Sequence, residues 1–95
     1  MKRFVDIRIE GEENIGVIDL GDINPLEEGV ENKIKRVLEP KLIQALEAHL
    51  DCPVKIRHTE VLSILGHIHV RTTVVVEADD EDRVETVEMQ ETWVY

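Results

Sequence analysis

The sequence predicts an α+β two-layer sandwich: a mostly antiparallel sheet of about five strands, ordered ββ-α(α)-βββ, covered on one face by a Pro-kinked helix or helix pair. Three observations carry this. Two short runs near the start and three in the last third alternate apolar and polar residues, the period of a strand with one buried face. Between them, apolar residues recur at helical spacing. The 95 residues suffice for one core and are read as a single domain, 1–95.

The first strand is FVDIRIE, with Val5, Ile7 and Ile9 on one face and Asp6 and Arg8 on the other. EGEEN follows as a polar turn in which Gly11 can take positive φ, and IGVIDL returns as the second strand. Pairing Ile9 with Ile15 would set Ile7 opposite Val17. A helix start is expected at INPLEE, where Asn24 can cap, Pro25 suits the first helical position and Glu27 sits three residues after the cap. Val30, Ile34, Val37, Leu38, Leu42, Ala45, Leu46, His49 and Leu50 then continue the stripe, with Glu31 and Lys35 as an i,i+4 ion pair. Pro40 cannot donate to the carbonyl of Arg36, so a kink or two abutted helices are expected there.

In the last third, VKIRHTEVL sets Val54 and Ile56 against Lys55 and Arg57, and HIHVRTTVVVEA sets Ile68, Val70, Thr72, Val74 and Val76 on one face. RVETVEMQETWVY sets Val87, Met89 and Trp93 together, with Glu91 as a carboxylate on an apolar face that needs a partner or water. DDED reads as a hairpin loop, and pairing Ala78 with Arg83 would place Val74 opposite Val87, Thr72 opposite Met89 and Ile68 opposite Trp93.

Charge and composition narrow the function classes. A net charge of −10 and only 3% aromatic residues argue against nucleic-acid partners, which need phosphate neutralisation and stacking surfaces. No apolar run is long enough to cross a bilayer, so no membrane partner is expected. The opening MKRFVDIRIEG alternates like a strand and lacks the unbroken apolar stretch of a signal peptide, and Cys52 is the one cysteine. A reducing compartment, the cytoplasm, is therefore expected.

The histidines in ILGHIHVR pose the main chemical question. His67 and His69 project from one strand face, and His58 with Glu60 could complete a metal site if the neighbouring strand paired suitably. Face parity weighs against it, because joining the apolar faces sets Ile56 opposite Val70 and Arg57 opposite His69 and sends His58 to the core. Only a one-residue bulge would restore the cluster. The alternative is a basic, titratable stripe of Arg57, His67, His69 and Arg71 on the outer face.

EADDEDRVETVEMQE carries eight carboxylates and lacks the glycine and terminal glutamate of a helix–loop–helix calcium loop. It reads as an acidic surface. Cys52 lies beside Asp51 at a helix end of the wrong polarity for a reactive thiolate, and Ser63 has no glycine-flanked elbow. No cofactor motif is present in the sequence, and no catalytic pair stands out. The expected protein is a small acidic, non-enzymatic interaction or accessory protein. It would bind a protein partner, with a basic surface the natural complement, through its acidic surface or exposed sheet. Candidate contact residues are Asp79, Asp80, Glu81, Asp82, Glu88, Glu91, Trp93 and Tyr95, and homodimerisation through the sheet or its edge is a further expectation. The alternative class is a metal- or ligand-binding enzyme using His58, Glu60, His67 and His69.

Overall fold

The computed structural model describes residues 2–9 and 14–92. Strands β1 (Lys2–Ile9), β2 (Asn14–Asp22), β3 (Val54–Ile64), β4 (His67–Val76) and β5 (Arg83–Thr92) form one sheet in the order β2-β1-β5-β4-β3. Every neighbouring pair is antiparallel. Helix α1 (Val30–Leu50) packs across one face, chiefly over β3 and β2, which makes the expected α+β two-layer arrangement.

The core lies between the two layers. Val30, Ile34, Leu38, Leu42 and Leu46 recur at every fourth position of α1 and are all buried. They meet Val5, Ile7 and Ile9 of β1, Ile18 and Leu20 of β2, Ile68, Val70, Val74 and Val76 of β4, and Val87 and Met89 of β5. Thr59 and Thr72 are the buried polar residues of this layer. Thr72 Oγ1 lies 3.5 Å from Thr59 Oγ1, which donates to Glu39 Oε2 at 2.7 Å, so the pair is linked to the helix.

Several sequence expectations are corrected. Asn24 does not cap the helix; its Oδ1 accepts from the Leu26 amide and its carbonyl from the Glu27 amide, both at 3.0 Å, closing a local turn. The helix starts five residues later, after Gly29, which takes the left-handed conformation at φ 76°. Of the two readings at Pro40, the single helix is found: α1 runs for 21 residues through Pro40, and both Pro40 and Arg36 are exposed, so the orphaned Arg36 carbonyl can be hydrated. Glu31 and Lys35 form no ion pair; Lys33 bonds Glu27 instead, at 3.6 Å.

The strand registers differ as well. Ile7 pairs with Gly16 and Val5 with Ile18, leaving Val17 on the open side; shifts near either end of the pairing absorb the extra residues. The EGEEN turn falls mostly outside the described residues. Between β4 and β5 the alignment moves by two, pairing Thr72 with Val87, Val70 with Met89 and Val76 with Arg83. A shift of two conserves the buried face. Trp93 and Tyr95 lie outside the described residues.

The largest departure is in β3 and β4, which form one long hairpin turned by Leu65 and Gly66. Both turn residues have positive φ, 52° and 78°, the geometry of a type I′ turn, whose twist matches that of the flanking strands. The hairpin pairs Leu62 with His69, where the sequence reading set Arg57 opposite His69. A β-bulge between Ile56 and His58 then flips the strand: Val54 faces the core before it, Thr59 after it.

Candidate interaction face

The helix covers one face of the sheet and leaves the other to solvent. The molecule measures 43 × 28 × 19 Å, and its least dimension is that of two layers about 10 Å thick. The registers place the open-face side chains in rows across the strands. Arg8, Glu88, Arg71 and Glu60 lie side by side on β1, β5, β4 and β3, alternating in charge. Arg71 donates to Glu88 Oε1 from Nη2 at 3.1 Å and Nε at 3.3 Å. The adjoining row runs Val17, Asp6, Gln90, His69, Leu62. On the other side of the charged row, Thr86 pairs with Thr73 and Val84 with Val75.

Exposed aliphatic groups frame this polar centre. Leu62 is 45%, Ile64 49% and Leu65 94% exposed at the β3–β4 hairpin end, and Val84 is 54% exposed at the other. Leu62, Ile64, His69, Arg71, Glu88 and Gln90 line a shallow depression of about 290 Å³ between them.

The bulge at Arg57 explains why Leu62 and Ile64 point outward. It reverses the parity of β3, so His58 joins Glu60, Leu62 and Ile64 on the open face rather than entering the core. The bulge that the metal reading required is present, but the register separates the donors. His58 pairs with Thr73, Glu60 with Arg71, Leu62 with His69 and Ile64 with His67. Among the described residues no group of three or more His, Cys, Asp or Glu is placed to hold a metal ion.

Of the stripe residues, His69 and Arg71 share the open face, with Arg71 flanked by Glu60 and Glu88 across the ladder. Arg57 is the bulged residue on the outer strand. His67 begins β4, two residues before the His69–Gln90 pair of the β4–β5 ladder, and its Nδ1 lies 3.1 Å from Glu91 Oε2.

Glu91 is the carboxylate that lacked an evident partner. Its side chain is 9% exposed, and Arg3 Nη1 donates to Oε1 at 2.6 Å while also reaching the Gly66 carbonyl at 3.2 Å. Arg3 is two residues from Val5, which pairs with Glu91, so β1 supplies the counter-charge from within the chain. The period of β1 could have signalled this, because Arg3 shares the parity of Val5 and Ile7.

The acidic loop, Asp79, Asp80, Glu81 and Asp82, is exposed between β4 and β5. Glu77, just before it, bonds Lys55 at 3.0 Å and holds the ammonium pKa above its ordinary value through that hydrogen bond and charge. Cys52 is half-buried near the end of α1.

Both sheet margins are blunted against further strand pairing. On β2 the Gly16 and Gly21 amides are taken by Asn14 Oδ1 and Asp19 Oδ1, each at 2.8 Å. On β3 the bulge breaks the line of the strand, and Lys55, Arg57, His58 and Glu60 stand exposed along it. No protein-family model, curated protein or solved structure matches this chain.

Proposed function

We propose that the protein is a non-enzymatic interaction module of the cytoplasm that docks a protein partner on the open face of its sheet. The observation that carries this reading is the exposed Leu62–Ile64 flank beside the depression of His69, Arg71, Glu88 and Gln90, on a face that α1 leaves bare. The blunted margins favour face contact over strand addition. The acidic loop adds a second contribution, drawing a basic surface toward that end of the molecule and making such an encounter salt-sensitive.

Affinity capture with the intact chain as bait tests the reading. The double substitution Leu62→Lys/Ile64→Lys should abolish partner recovery while leaving the thermal unfolding transition in place. For a basic partner, neutralising Asp79, Asp80, Glu81 and Asp82 should slow association and reduce its salt dependence without abolishing it; for a partner as acidic as the chain itself it should speed association instead. Undiminished recovery by a folded Leu62→Lys/Ile64→Lys chain would overturn the assignment of the face.

A further inference from the structure

We infer that the partner on the open face is a second copy of this chain, related by a twofold axis running along the strands between β4 and β5. This inference rests on the reading of that face as a docking surface. A half-turn about this axis keeps each cross-strand row at its own level, reverses the order of the strands and turns the sheet over. β5 of one copy then lies on β4 of the other, and β1 lies on β3.

The row Arg8, Glu88, Arg71, Glu60 changes sign about its midpoint. The half-turn therefore sets Arg8 against Glu60 and Glu88 against Arg71, in both directions. The levels on either side agree. Gln90 meets His69, Thr86 meets Thr73, Val84 meets Val75, and at the hairpin end Phe4 meets Ile64. Asp6 facing Leu62 is a mismatch, but Asp6 is already engaged by Arg8 at 3.9 Å and by the Gln90 amide at 3.4 Å. A half-turn about the perpendicular in-plane axis would lay Arg8 on Arg8 and Glu88 on Glu88, so charge selects between the two.

The available area is sufficient. The four strands that overlap, β1, β5, β4 and β3, are about 4.8 Å apart and about 30 Å long and present roughly 580 Å² per copy, which clears the about 1,000 Å² in total that a specific interface needs. An axis along the strands gives the aligned mode of sheet packing. It also brings both acidic loops to the same end, astride the axis, because each connects β4 to β5. Added salt screens these exposed loops more than it screens charges enclosed between the sheets, so self-association should tighten as salt rises.

Arg8 and Glu60 give the decisive test, because they lie three strands apart, about 14 Å in one copy, and meet only across the dimer. Sedimentation of the full chain over a range of concentrations should show a species of twice 10.9 kDa. Arg8→Glu and Glu60→Arg alone should each weaken it at least about tenfold, by setting like charges together. The double variant Arg8→Glu/Glu60→Arg should recover most of the loss, although within one copy it places like charges side by side.

A double variant as weak as the single ones overturns this axis, and so does self-association that weakens with salt. A chain that stays monomeric throughout overturns the second copy as the occupant. Loss of a captured partner by Leu62→Lys/Ile64→Lys in that case would leave the docking face itself intact.

Discussion

Arg3 shows how one residue settles a conflict that the local sequence could not. Glu91 sits on a face of Val87 and Met89, and its carboxylate is held by a cation 88 positions away in the chain. Arg3→Met should lower stability by about 1–3 kcal/mol, because it leaves a largely buried charge short of its strongest partner. Arg71→Ala should change stability by less than about 0.5 kcal/mol, since the Arg71–Glu88 pair is exposed to water on both sides. Urea titrations of the two variants would compare these effects directly. The β3–β4 turn makes a second residue-scale case, with Leu65 left-handed at φ 52°. Leu65→Asn should stabilise by about 0.5 kcal/mol and Gly66→Ala should destabilise by about 1 kcal/mol, both read as shifts in the thermal midpoint. The turn was hard to find in the sequence for the same reason: leucine is a poor resident of that conformation, and the glycine alone gave a weak signal.

At the scale of elements, legibility followed periodicity. The buried faces of β1, β4 and the helix centre were readable because Val5, Ile7 and Ile9, then Ile68 to Val76, and then Ile34 to Leu46 keep one period without interruption. Registers were less readable, since several alignments bury an aliphatic face and the choice falls to turns and bulges. Strand β3 shows this most clearly. Its parity changes at Arg57, and no residue type in VKIRHTEVL announces where the extra residue sits. The candidate face was therefore only half visible: His69 and Arg71 could be placed on it, whereas Leu62 and Ile64 depend on the bulge. Pro40 sits within α1 on its wet side, so Pro40→Ala should restore a main-chain hydrogen bond and stabilise by about 1 kcal/mol or more. Leu42→Ala, in the fully buried stripe, should cost about 2–5 kcal/mol. Chemical denaturation followed by circular dichroism would measure both.

Over the whole molecule, one helix against five strands leaves one broad surface bare, and the alternating charges on that surface determine how two copies would fit. The excess negative charge opposes this association at low ionic strength, so concentration and salt together should set the fraction of dimer. The blunted margins have a further effect on what kind of assembly can exist. A face that meets its own twin is consumed by the encounter, and neither border of the resulting pair offers a straight ladder to a third chain. Growth would therefore stop at two, with the same bulges and side-chain clamps that shape β2 and β3 opposing extension of a flat, strand-rich protein into a fibre.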